Sequence, residues 1–152
     1  MEVNVVCVGS VKEKFYKDAT LEYIKRIGGF CKINLIEVKD YEHITDILRA
    51  KKLEAEGLSK HFKGYTIALE IDGTNFSSEG LAKKIKDTFD NKNSTITFFI
   101  GGSNGLDKDF SDSCDFKLSF SKLTFPHQLM RVILLEQIYR TFTIINGRTY
   151  HK

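Results

Sequence analysis

The sequence predicts an α/β fold: one domain over residues 1–152, built on a largely parallel sheet with helices on both of its faces. Three observations point there. Short apolar runs alternate with segments of helical periodicity along the chain, the pattern of βαβ units. The first run, Val3-Asn4-Val5-Val6-Cys7-Val8, is nearly continuous and rich in β-branched residues, as a strand buried on both faces is. Turn residues close most of the runs, beginning with Gly9-Ser10.

In chain order, the opening strand gives way to a helix on which Phe15, Ala19 and Tyr23 recur every four residues, widened by Tyr16, Ile24 and Ile27 and stopped by Gly28-Gly29. Cys31 to Val38 returns to strand character. From Ile44 to about Lys60 the chain is charged and helical, with Ile44, Ile47, Leu48, Ala55 and Leu58 as a thin apolar stripe. A third strand spans Tyr65 to Ile71 and ends at Asp72-Gly73. Ser77 or Ser78 then caps a helix with Leu81, Ile85 and Phe89 on its inner face and Glu79 in its first turn. Thr95 to Ile100 forms a fourth strand, Phe116 to Phe120 a short fifth, and a last helix runs from Pro126 to about Phe142.

With 152 residues the chain is long enough for one well-buried domain and short for two. At 41% hydrophobic and 28% charged it has the balance of a globular protein. The apolar runs are too short to span a membrane, and Met1-Glu2-Val3-Asn4 opens a strand where a signal peptide would carry a basic and then an apolar region. The expected compartment is therefore the cytoplasm. Cys7, Cys31 and Cys114 are odd in number and far apart, which argues against a disulfide framework and a zinc site. The net charge of +3 is compatible with many partners. Clusters such as Lys12/Lys14/Lys17 and Lys83/Lys84/Lys86 fit solvated helix faces or a phosphate-binding surface.

In parallel α/β sheets, ligands bind beyond the carboxyl ends of the strands. Gly101-Gly102-Ser103-Asn104-Gly105 follows a strand directly and suits either a tight turn or a loop that lets a ligand close to the backbone. It carries neither the P-loop Gly-Lys-Ser/Thr nor a G-x-G-x-x-G pattern. The only proline, Pro126, has a fixed φ and no N–H, so it marks an abrupt passage from the extended Ser119-to-Thr124 segment into helix. On that helix, apolar residues from Leu129 to Phe142 spread around most of the circumference, which one core cannot cover; a symmetric dimer can. A charge at Ile133 or Leu134 is expected to weaken association or folding. His127 and Arg131 stand one turn apart. No Ser/His/Asp set and no helical His-Glu metal motif appears, so covalent hydrolysis and metal catalysis gain little support.

Four blocks now stand in order: Ile100 to Leu106; Leu118-Ser119-Phe120-Ser121-Lys122-Leu123-Thr124-Phe125-Pro126-His127; Arg131 to Arg140; and Tyr150-His151-Lys152. Together they closely resemble the ribosomal RNA large subunit methyltransferase H family, and the likeness runs the full length. The resemblance implies a SPOUT-type fold whose carboxyl-terminal chain forms a trefoil knot, a homodimer, and S-adenosylmethionine as methyl donor. It also implies methylation of N3 of a pseudouridine in the large-subunit rRNA of the assembled ribosome. By position, cofactor contacts fall on Leu69, Gly101, Phe120, Ser121, Lys122, Leu123, Thr124 and Phe125, with Leu69, Leu123 and Phe125 around the adenine. The tail, through His151 with Tyr150, is expected to complete the partner's site by orienting the base or taking its proton. Arg131 and Arg140 are candidates for RNA phosphate or dimer contacts. The competing expectations are a different nucleotide-binding α/β enzyme and a non-enzymatic ribosome-associated factor.

Overall fold

The computed structural model describes residues 1–151. Strands β1 (Glu2–Val8), β2 (Lys32–Val38), β3 (Tyr65–Asn75), β4 (Thr95–Ile100) and β5 (Phe116–Ser119) form one parallel sheet in the order β2-β1-β4-β3-β5. Helices α1 (Lys14–Ile27), α2 (Ile47–Ser59), α3 (Ser78–Asp90), α4 (Lys108–Ser113) and α5 (His127–Ile145) cover both faces.

The side-chain period of two sorts the central strands between two cores. Val3, Val5 and Cys7 of β1, with Ile96, Phe98 and Ile100 of β4, pack against Ile27 of α1, Leu81 and Ile85 of α3 and Leu134, Leu135, Ile138 and Phe142 of α5. Val6, Val8, Ala68 and Phe99 point the other way, to Leu58 of α2 and Phe110 of α4. Every residue of β4 is buried, which explains its unbroken apolar and threonine composition. Phe99 lies 5.2 Å from the Phe62 ring and 5.0 Å from the Phe110 ring. Its truncation to Ala would cost about 3–5 kcal/mol.

The helix starts follow local chemistry. Ser77 caps α3 by accepting from Gly80 N–H, and Asp46 caps α2 by accepting from Arg49 N–H. Pro126 sits just before α5, in extended conformation at φ −53° and ψ 134°, and its carbonyl accepts from Met130 N–H at 3.0 Å.

Several boundaries differ from the sequence expectation. β3 continues past Ile71 to Asn75: Leu69 and Thr74 both register with Leu118, so the residues between them bulge out of the ladder. Gly73 is pressed onto β5 there, where a Cβ would come within 2.6 Å of the Leu118 carbonyl carbon. α4 was not expected; Asp107 caps it and Phe110 anchors it, but six residues are too few to show a period. α2 starts at Ile47, and its inner face is Ala50, Glu54 and Leu58, leaving Leu48 72% exposed. Phe15, expected on the stripe of α1, is also exposed and packs on Tyr16. α5 runs three residues beyond Phe142, and Leu134 on it is fully buried. A charge at Leu134 therefore tests folding and not association.

Cys7 and Cys31 are buried, and burial pushes their thiols up to about 12 and about 11. Thiols held protonated in this way are poor nucleophiles. Among the described residues, no helix is long and apolar enough to cross a membrane, and no group of three His, Cys, Asp or Glu is placed to hold a metal ion.

Candidate functional site

A cleft of about 750 Å³ opens beyond the carboxyl ends of β4 and β5 and beside the bulge of β3, within the range of small-molecule sites. Leu69, Glu70, Ile71 and Asp72, at the bulge of β3, form one wall, and the Gly102-to-Leu106 turn after β4 forms a second. Phe120, Ser121, Leu123, Thr124 and Phe125 after β5 form the third, and His127 and Met130 of α5 close the back.

The glycines after β4 make a tight turn and line the cleft at once. Gly105 N–H donates to Gly102 O at 3.0 Å. Gly105 has φ +74°, a conformation that favours glycine, and a Cβ there would meet nothing within 4 Å. Gly101 lies beneath the turn: its Cβ would come within 2.5 Å of the Gly105 carbonyl carbon. Gly101 thus shapes the cleft without lining it. The loop after β5 is ordered by its own hydroxyls. Ser119 Oγ donates to Ser121 O at 3.1 Å, Leu123 N–H donates to Ser121 Oγ at 2.9 Å, and Asn75 Nδ2 donates to Ser119 O at 2.8 Å. Lys122 points away from the cleft lining into solvent, while Leu123, 71% exposed, stands at the mouth.

His127 is half-buried in the cleft. Burial first, and the nearby Arg131 charge second, hold its pKa below the usual histidine value, so the ring is neutral at physiological pH. Arg131 itself has no exposed surface. Its Nη1 donates to Glu37, and its Nη2 donates to the carbonyls of Val8 and Gly9 at 2.6 and 2.8 Å. It is therefore a strut of the fold, and the expectation that it contacts RNA phosphate or a partner is corrected.

The family description "Predicted SPOUT methyltransferase" matches residues 1–151. The chain belongs to the SPOUT methyltransferase family. A relative from Methanococcus maripaludis is 54% identical over 100% of both chains. The protein named ribosomal RNA large subunit methyltransferase H is 46% identical in Acetivibrio thermocellus and 48% identical in Bifidobacterium adolescentis, again over 100% of each chain. A solved structure of a probable methylase family protein from Haemophilus influenzae has the same fold at a TM-score of 0.57 and 13% identity, over 99% of this chain and 70% of that one.

In this SPOUT chain, six of the eight positions assigned to the cofactor line the cleft: Leu69, Phe120, Ser121, Leu123, Thr124 and Phe125. Tyr150 and His151 do not reach it. The Tyr150 ring packs edge-on to Tyr139 at 4.7 Å and beneath the Arg140 guanidinium at 4.9 Å, and its hydroxyl donates to Glu136 Oε1 at 3.2 Å. Burial raises the Tyr150 phenol to about 12. His151 Nε2 lies 2.6 Å from Glu79 Oε1, and its Nδ1 lies 3.2 Å from Arg140 Nη1. Arg140 also pairs with Glu136. Tyr150 and His151 are thus held against α5 and Glu79, and none of these partners lines the cleft.

A second, smaller cavity adjoins the first and shares Leu118, Phe120 and Phe125 with it. Phe76, Ser78, Ile133 and Gln137 are among the residues that line it alone. Sequence reasoning missed these residues because they come from three separate elements, and only the packing of α3 against α5 brings them together. The one available signal was Gln137, a polar residue inside the most apolar helix.

Proposed function

We propose that this chain is an S-adenosylmethionine-dependent methyltransferase that methylates N3 of a pseudouridine in large-subunit ribosomal RNA, on the assembled ribosome and in the cytoplasm. The observation that carries the reading is the cleft at the ends of β4 and β5 and the bulge of β3, lined by six residues at the family's cofactor positions. The names of the full-length relatives support ribosomal RNA as the substrate.

The residues present fit the cofactor. Apolar side chains at Leu69, Leu123 and Phe125 can enclose an adenine, and the missing side chain at Gly105 leaves space beside the turn. The carboxylates of Glu70 and Asp72, also in the lining, suit sugar hydroxyls and an ammonium group. When bound, the cofactor supplies a methyl already activated on a sulfonium, so the protein needs no nucleophile of its own. The chain's task is then to hold the acceptor nitrogen in line and to help remove its proton.

The acting unit in this proposal is a homodimer, with the single domain of residues 1–152 as its subunit. The half-buried Leu129, Val132 and Ile133 leave part of α5 available for a second copy. The tail of one subunit, through His151 and Tyr150, completes the site of the other. The pairing of Leu118 with both Leu69 and Thr74, and the seat of Gly73 on β5, support a carboxyl-terminal trefoil knot.

The test is transfer of labelled methyl from S-adenosylmethionine to intact ribosomes lacking the modification, beside free ribosomal RNA and transfer RNA, with the labelled nucleoside identified. Label at N3 of a pseudouridine on ribosomes alone is the expected result. No label on any substrate, from folded protein, would return the function to another nucleotide-binding enzyme or a ribosome-associated factor.

A further inference from the structure

The second cavity, of about 280 Å³, has a specific chemistry. Its walls include three aromatic rings, Phe76, Phe120 and Phe125, and it has polar groups at Ser77, Ser78, Ser119 and Gln137. No charged side chain lines it, so a phosphate or carboxylate would find no counter-charge there. A flat, neutral, hydrogen-bonding ring fits: aromatic faces stack on it and the polar groups meet its edge.

The Gln137 amide is fixed at both ends. Its Oε1 accepts from Ser78 Oγ at 3.3 Å, and its Nε2 donates to Glu136 Oε2 at 2.7 Å. An amide has two acceptor sites and two N–H donors, so one of each remains. That pair complements a ring edge that offers an N–H next to a carbonyl.

We propose that this cavity holds the acceptor base and that Gln137 selects pseudouridine over uridine by pairing with its N1–H and O2. Pseudouridine carries its sugar on carbon, so N1–H is free and N3 remains available for methylation. In uridine N1 carries the sugar, and the only N–H is N3 itself, so satisfying the amide would occupy the atom to be methylated. A base held by N1 and O2 keeps N3 on another edge, toward the Phe120 and Phe125 wall shared with the cofactor cleft. A site built to pair with an N–H rejects the analogue that lacks it, because the site's own polar group is then left unpaired. This inference rests on the function proposed above.

The experiment measures methyl transfer to two ribosome preparations, one with pseudouridine and one with uridine at the acceptor position, by the wild type, Gln137→Ala and Ser78→Ala. The wild type is expected to prefer pseudouridine. Gln137→Ala should lower kcat/KM on pseudouridine on the order of tenfold, as loss of neutral hydrogen bonds does, and should not lower the rate on uridine, so the preference narrows; the affinity for S-adenosylmethionine stays unchanged because Gln137 does not line the cofactor cleft. Ser78→Ala should shift the ratio the same way by less, since it frees only one end of the amide. An unchanged ratio in Gln137→Ala, or in Ser78→Ala should the first variant fail to fold, overturns the inference. Equal wild-type rates on both substrates also overturn it and leave the methyltransferase reading standing. No transfer by the wild type to either removes both.

Discussion

Arg131 Nη1 donates to Glu37 Oε1 across 2.9 Å, and the arginine side chain is wholly shut off from solvent. The contact ties α5 to β2, and the two bonds from Nη2 to Val8 and Gly9 tie it to the end of β1. Glu37 also accepts from Val11 N–H at 2.9 Å, so one carboxylate fixes both the chain leaving β1 and the helix behind the cleft.

Removing Arg131 takes that donor from the Val8 and Gly9 carbonyls and the counter-charge from Glu37, which keeps the Val11 N–H. Arg131→Met is expected to cost about 3 kcal/mol of stability, at the lower end for a broken buried pair because Glu37 is partly solvated. Urea denaturation measures it; a change below about 0.5 kcal/mol, the range of an ordinary surface substitution, would show that the pair contributes little.

Gly101→Ala should disrupt cofactor binding more than folding. The added Cβ would meet the Gly105 backbone at 2.5 Å and force the turn to open into the cleft. Calorimetric titration with S-adenosylmethionine should show at least a tenfold weaker Kd, and an unaltered Kd would mean the turn relaxes elsewhere.

Glu54 is only 4% exposed beneath that turn, where a Cβ on Gly102 would lie 3.5 Å from its Oε2. Burial raises its carboxyl above the ordinary value of 4.5, and the charges of Asp40 and Glu42 add to the effect; the Tyr41 N–H and Lys51 oppose it. The folded state therefore favours protonated Glu54: this contribution to stability is full below the ordinary value and is lost as pH rises through the raised one. Glu54→Gln keeps an acceptor for Tyr41 N–H and removes the titration. Its denaturation midpoint should exceed the wild type's at pH 7 and converge with it at pH 4. A variant less stable at pH 7 would show that the charge is needed there.

His151→Ala should lower methyl transfer while leaving S-adenosylmethionine affinity unchanged, because the partners of His151 in its own chain, Glu79 and Arg140, lie outside the cleft lining. Glu79, its partner, has its carboxyl held down to about 2, first by its own backbone N–H and then by His151 and Ser77. Stability from those bonds is present above the ordinary 4.5 and is lost as pH falls toward 2. Equal loss of cofactor affinity in His151→Ala would argue for a role in the fold.

Val132→Glu is expected to yield folded monomers with little activity in sedimentation and transfer assays, because Val132 is half-buried on α5 and lines neither cavity. A monomer with full activity would sink the shared site.

The sites of the strands were legible where the local pattern is strong. β1 and β4 announced themselves by β-branched and aromatic runs that must be buried on both faces, and Pro126 marked the start of α5 by geometry it cannot avoid. The cofactor positions came from resemblance, and six of them meet in one cleft.

What the sequence determined alone is what neighbours along the chain decide: strand and helix periods, caps, glycine turns and the apolar excess of α5. Strand order, the burial of Arg131, the continuation of β3 past its bulge and the small cavity behind Phe120 were settled only in three dimensions. Each depends on contacts between residues far apart in sequence, such as Arg131 with Val8 and Ser78 with Gln137. A local pattern shows that a side chain needs a partner, and only the packed chain brings that partner within reach.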